Sequence, residues 1–164
     1  MQTIGRILTG AMALVLTLTL GSLAVFSQDR TAKGGNGNTL EGVWQINVTA
    51  VDCQTGTIVR TFRSLNTFMQ GGTMVEDSSV SSVIRGTSHG LWQRTSGREY
   101  ASTFTFFRFN PDGSPNGSQR VRRNIELSDS SDELTATATV EIYNVAGALV
   151  GAGCSIEAGT RFTF

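Results

Sequence analysis

Lysine, histidine, proline and cysteine are nearly missing from this sequence: one lysine (Lys33), one histidine (His89), two prolines and two cysteines. One histidine leaves a zinc centre without a ligand set once the cysteines have another use. Two prolines beside 19 glycines suit tight hairpins more than a disordered, proline-rich chain. Charge of one sign is missing too. Thirteen basic residues meet 13 acidic ones, so nothing attracts nucleic acid or an anionic membrane surface. Beyond the N-terminal apolar run, no stretch carries a helical stripe of useful length.

That run has the form of an export signal. Arg6 supplies a positive charge, Ile7 to Ala24 is uncharged and apolar or small, and Val25-Phe26-Ser27 offers aliphatic and small residues where a signal peptidase reads. Cleavage after Ser27 and a secreted or periplasmic protein are expected, with an uncleaved anchor helix as the rival. Residues 28–39, with Lys33-Gly34-Gly35-Asn36-Gly37-Asn38, bury nothing and read as a flexible leader. The remaining residues, 40–164, are enough for one domain with its own core.

Within that domain, period-two alternation dominates. Trp44, Ile46, Val48 and Ala50 alternate with Gln45, Asn47 and Thr49. Leu134, Ala136, Ala138, Val140 and Ile142 alternate with Thr135, Thr137, Thr139, Glu141 and Tyr143. Turn signals such as Gln54-Thr55-Gly56, Pro111-Asp112-Gly113 and Ala146-Gly147 separate strands expected over 43–52, 57–68, 73–85, 90–95, 98–109, 118–128, 133–143 and 148–162. Eight half-buried strands on short hairpins predict an all-β fold: a single antiparallel up-and-down barrel closed by its first and last strands. A two-sheet sandwich is the alternative.

The two cysteines fit closure. In an antiparallel pair the residue numbers of facing partners add to a constant, and the sums for Trp44 with Arg161 and for Cys53 with Cys154 differ by only two. One register therefore serves both pairs, with Trp44 and Arg161 on one face and the cysteines on the other. In an oxidising compartment a Cys53–Cys154 disulfide is expected. Closing a loop of ~100 residues, it is worth up to roughly 4–5 kcal/mol on chain-entropy grounds. Two free thiols are the alternative.

Gly42-Val43-Trp44 on the first strand, with Arg161 on the last, resembles the signature of the calycin superfamily, which includes the lipocalins. The resemblance implies that Trp44 packs at the closed barrel end with Arg161 lying across it. Gly90-Leu91-Trp92 repeats the triplet. Four further stretches strengthen the likeness: the run from His89 through Arg94-Thr95-Ser96-Gly97-Arg98-Glu99-Tyr100 to Phe104 and Phe106, then Asn110-Pro111-Asp112-Gly113, Val121-Arg122, and the closing Gly159-Thr160-Arg161. This ordered set is similar to small exported bacterial barrel proteins, some grouped with allene oxide cyclase-like barrels. It covers residues 40–162, implies fold and export, and transfers no catalytic residue. The Thr-Asp-Tyr-type motif of lipocalins is not found in this chain.

Few residues suggest chemistry. Trp44, Trp92 and Arg161 are expected to be structural. Arg123 shares a face with Val121, Ile125 and Leu127, so an inward guanidinium needs a partner: Glu141, Glu99 or a ligand carboxylate. A bulge turning Arg123 outward is the other reading. His89 falls in a Gly-rich turn with no orienting partner at a telling distance. Asn110-x-Asp112-Gly113-Ser114 lacks the later acidic ligand of a calcium loop. Asn47-Val48-Thr49 and Asn116-Gly117-Ser118 fit glycosylation acceptors. Phe107 and Phe109 are expected to face outward, covered by a subunit of a homo-oligomer, by a loop or by Phe162-Thr163-Phe164.

The expected function is binding of a small apolar or amphipathic molecule inside the barrel, with no cofactor, metal or nucleic acid, and no membrane after signal removal. Tyr100, Phe104, Phe106, Leu134, Ala136, Ala138 and Val140 are expected to line the cavity, with Arg123 as its polar contact and the alanines leaving room. An isomerase or cyclase using the same cavity, or an assembly module using the outer aromatic face, are the alternatives; no catalytic residue is assigned. Intact mass spectrometry of the exported protein is expected to find a chain beginning at Gln28; a mass that retains residues 1–27 would show an anchor instead.

Overall fold

The structure is a computed structural model that describes residues 39–164; the expected signal peptide and the leader up to residue 38 lie outside the described residues. Eight strands follow one another: β1 (Gly42–Val51), β2 (Ile58–Phe68), β3 (Thr73–Ser78), β4 (Ser88–Ser96), β5 (Glu99–Phe109), β6 (Pro115–Leu127), β7 (Glu133–Tyr143) and β8 (Leu149–Arg161). Each pairs antiparallel with the next, and β8 returns to β1, so the sheet closes into an up-and-down barrel. The alternation sets the faces. On β7, Leu134, Ala136 and Ala138 are buried while Thr135, Thr137 and Thr139 are exposed.

The β1–β8 seam has Trp44 opposite Arg161 and holds that register to Val51 opposite Cys154. Cys53 lies two residues past Val51, in the turn after β1. It forms the disulfide with Cys154 on the diagonal, at a Cα–Cα distance of 5.2 Å.

At the closed end Trp44 is fully buried, and its Nε1 donates to the Leu40 carbonyl at 2.9 Å. The Arg161 guanidinium lies 4.3 Å above the indole. It donates to the carbonyls of Glu41 (2.6 Å), Thr39 (2.6 Å) and Ser131 (2.8 and 3.0 Å). Burial draws its pKa below the ordinary arginine value, and Asp132 at 3.9 Å opposes that shift. Gly42 has φ +124°, and a Cβ there would sit 3.0 Å from Arg161 Nη1. The glycine of the Gly-x-Trp triplet thus provides both the backbone conformation and the space that the arginine needs. Trp92 is structural in a similar way: it packs between Phe68 and Tyr100 and donates to the Met69 carbonyl at 3.0 Å.

Three expected strand boundaries need correction. β6 starts at Pro115 and not at 118. β3 ends at Ser78 and not at 85, because Asp77, Ser78 and Ser81 turn their side-chain oxygens onto the amides of Ser78, Val80 and Val83. Such local bonds compete with the sheet ladder. The segment 79–87 becomes a loop that touches β5 through an Arg85–Arg108 bridge and a Gly86 N–H to Phe107 carbonyl bond. β4 starts at Ser88, so His89 stands on a strand, exposed, and not in a turn.

The cap at the closed end predicts a large stability effect. Arg161→Met is expected to lose about 2–4 kcal/mol in urea unfolding, because three carbonyls lose their donor. Arg161→Lys should lose less but not recover fully, since an ammonium cannot match the planar fork. No loss in either variant would remove the cap from the account of closure.

Candidate functional site

Inward side chains fill the end of the barrel that Trp44 and Arg161 close: Leu40, Ile46, Phe68, Met74, Leu127 and Leu134 are all buried. Towards the other end the filling stops. A cavity of about 1030 Å³ opens among the turn after β1 (Asp52, Cys53, Gln54), the 79–87 loop (Val80, Ile84) and the turn after β5 (Asn110, Pro111). Its wall is apolar over Val48, Phe62, Phe104, Phe106, Val121, Val140 and Ile142, and the disulfide lies on it. An eight-stranded barrel is about wide enough to be filled by its own side chains or to leave room for one small molecule; here one end is filled and the other opens into a cavity.

The rest of the wall is ionic. Arg123 points inward, as its parity requires, and is 3% exposed. Its Nη1 donates to Asn66 Oδ1 at 2.7 Å, and its guanidinium carbon lies 4.4 Å from the Phe104 ring centre. Its ion-pair partner is Glu157, with Nε to Oε2 at 3.2 Å. These two atoms are close enough for a strong charge interaction but not aligned for a hydrogen bond, so both lack a hydrogen-bond partner, as does the buried Ser102 Oγ. The partners expected from sequence are elsewhere. Glu141 pairs on the outer surface with Arg122 at 2.6 Å, and Glu99 is exposed at the start of β5.

A second buried pair lines the same cavity. Arg85, from the 79–87 loop, meets Glu76 Oε2 at 2.5 Å and lies 3.8 Å over the Phe106 ring. Ser88 Oγ donates to the same carboxylate oxygen at 2.5 Å. Both arginines are therefore held between an aromatic face and a carboxylate. Near the mouth, Arg108 lines the cavity with no carboxylate partner among the described residues, and Arg60 lies over Phe62. Asp52, also at the mouth, has its pKa held below the usual carboxylate value by hydrogen bonds from Thr55 and Gln54.

Of the residues expected to line the cavity, Phe104, Phe106, Arg123 and Val140 do so. Tyr100, Leu134, Ala136 and Ala138 are buried but are not on its wall. Tyr100 belongs to the closed half, against Trp92, and accepts a hydrogen bond from Arg94 Nε at 3.0 Å. Ala136 faces Glu157, and Ala138 faces both Arg123 and Ser155 across the neighbouring ladders. The small residues sit beside the long ionic side chains, so the room they leave is next to the ion pair. Phe107 is 69% exposed, and the exposed C-terminal phenylalanines do not shield it. Phe109 does not share its face: a register shift between them brings Phe109 to the cavity mouth.

Sequence reasoning missed Glu76, Arg85, Asn66, Ser155 and Glu157. Four of these carried a usable signal. Glu157 and Ser155 have the parity of Arg161, Glu76 that of Met74, and Asn66 that of Phe68. Arg85 comes from a loop and carried none. Among the described residues no cluster of His, Cys, Asp or Glu is arranged to hold a metal ion. The Asn110–Ser114 turn is closed by its own bonds, Asp112 accepting from Ser114 N–H and Oγ, which lowers the Asp112 pKa. No family profile, curated protein or solved structure matches this chain.

The Arg123–Glu157 pair predicts a coupled mutant cycle in urea unfolding. Arg123→Met strands a buried carboxylate and is expected to lose about 3–5 kcal/mol. The double variant with Glu157→Met should lose less than either single change. Additive losses would show that the two charges do not depend on each other.

Proposed function

We propose that the protein is an exported, calycin-like barrel that binds one small amphipathic molecule. The observation that carries this reading is the cavity: it opens at one end of the barrel, and its wall combines apolar side chains with the ionic side chains of Glu76, Arg85, Arg123 and Glu157. Its volume of about 1030 Å³ falls at the upper end of small-molecule sites, which run from ~300 to 1,000 Å³. The Cys53–Cys154 disulfide supports a secreted or periplasmic location, since such bonds persist in oxidising compartments. The Gly42-x-Trp44 and Arg161 end cap supports the calycin-like assignment.

A second reading has one observation in its favour. Glu76, Arg85, Arg123 and Glu157 converge on a single cavity, and an isomerase or cyclase needs several polar groups around its substrate. The assembly reading rests on three exposed rings, Phe107, Phe162 and Phe164, where a stable interface takes roughly 20–30 residues a side.

Native mass spectrometry of the exported protein, purified without denaturation, separates these readings. A retained molecule, released on unfolding, is the expected result. Recovery of that molecule unchanged after incubation at turnover-competent concentration supports binding; its conversion to an isomer supports catalysis. A ligand-free oligomer would favour assembly and set the binding reading aside.

A further inference from the structure

We infer that the inner end of the cavity takes a neutral hydrogen-bonding group, such as a hydroxyl, phenol or carbonyl, on an otherwise apolar molecule, and that it rejects a carboxylate. This rests on the ligand-binding reading and specifies its ligand class.

The first step is charge. Four buried ionic side chains line the inner cavity and pair off completely, Arg85 with Glu76 and Arg123 with Glu157. The Arg123 and Glu157 side chains are 1% and 2% exposed. A ligand carboxylate arriving there finds no spare cation and lies beside Glu157. It must either displace that residue from Arg123 or remain an uncompensated buried charge, and both are costly.

The second step is hydrogen bonding. Charge balance does not satisfy the donors and acceptors. Arg123 Nε, Glu157 Oε2 and Ser102 Oγ are buried with no hydrogen-bond partner. Ser102 faces Arg123 directly across the β5–β6 ladder. Arg123 Nε–H is a donor, the Glu157 carboxylate is an acceptor, and the Ser102 hydroxyl is either. A hydroxyl accepts from the first and donates to the second. A carbonyl and a carboxylate both offer acceptors alone and leave the Glu157 oxygen unserved. Only the carboxylate also places a second negative charge beside it.

The third step is the surroundings. Phe104 stacks on the Arg123 guanidinium, and Val121 and Val140 continue the wall outward. The ligand body next to the polar group must therefore be apolar.

The test uses the ¹⁵N-labelled exported protein with octan-1-ol and octanoate at pH 8, where octanoate is ionised. Octan-1-ol is expected to bind roughly tenfold or more tightly than octanoate, a difference of about 1.4 kcal/mol, and to shift the Arg123 Nε–Hε cross-peak. Glu157→Gln leaves the arginine charge unpaired and weakens the acceptor that the hydroxyl uses, so octanoate affinity should rise about tenfold and the preference for octan-1-ol should disappear. Octanoate binding as well as octan-1-ol to the native protein would overturn the inference, as would saturation by octan-1-ol with the Arg123 peak unmoved. Binding of octanoate alone, at the mouth arginines, overturns it while leaving ligand binding intact. If neither probe binds at millimolar concentration, the ligand-binding reading fails and this inference with it.

Discussion

The pairing of β1 with β8 is the constraint from which the other features follow. A sheet of eight twisted strands has two edges, and edges invite association with other chains. Closure removes both, but only in one register, because a one-residue slip would turn every side chain of a strand to the wrong face. Trp44 opposite Arg161 sets that register at one end of the seam, and Cys53–Cys154 ties it at the other. Arg161 also binds the carbonyl of Ser131, a non-glycine residue at φ +60°, so the β6–β7 turn is held to the same cap. With the seam fixed, parity determines which residues enter the barrel up to the register shifts at Ala50/Val51, Phe107/Phe109 and Ile142/Tyr143.

What enters is not what stability alone would select. Hydrophobic side chains of similar volume can replace buried ion pairs with no loss, and often with a gain, in stability. The closed half of this barrel is filled in that way, by Ile46, Phe68, Met74 and Leu134. The open half instead holds two ion pairs, each with an aromatic ring and a neutral polar neighbour: Phe104 and Asn66 at Arg123, Phe106 and Ser88 at Arg85. The alanines of β7 leave room beside one of these pairs. The same molecule thus divides its interior between a part that holds the fold and a part that presents chemistry to the cavity.

The fold was legible in the sequence because each of its determinants is local or periodic. Alternation is visible in Leu134 to Ile142, turns in Pro111-Asp112-Gly113, and the seam in the spacing of Trp44, Cys53, Cys154 and Arg161. The site was legible only in part. Arg123 stood out because its neighbours Val121 and Ile125 are apolar. Glu157 stood between Ile156 and Ala158, with Ser155 and Gly159 on its own face, so nothing apolar marked that face as interior. Its parity with Arg161 was the only clue. Arg85 was illegible for a different reason: the serines after Asp77 end β3 by bonding their own backbone, and no periodicity survives in the loop that returns Arg85 to the cavity.

The near-absence of lysine acquires a physical reason in the structure. Among the described residues, six arginines place a guanidinium over an aromatic ring: Arg60 on Phe62, Arg85 on Phe106, Arg94 on Tyr100, Arg120 on Tyr143, Arg123 on Phe104 and Arg161 on Trp44. Three of these, Arg85, Arg123 and Arg161, have side chains no more than 9% exposed. A planar, weakly hydrated guanidinium gives up less solvation on burial than an ammonium. It stacks on a ring face while its edge still donates in several directions. Arg161 uses that edge on three carbonyls, and Arg123 donates to Asn66 while its charge pairs with Glu157. A lysine at either position would offer a point charge with no flat face. The bias towards arginine is therefore the compositional trace of a barrel that buries its cations against aromatic rings, both where it seals one end and where it leaves the other open.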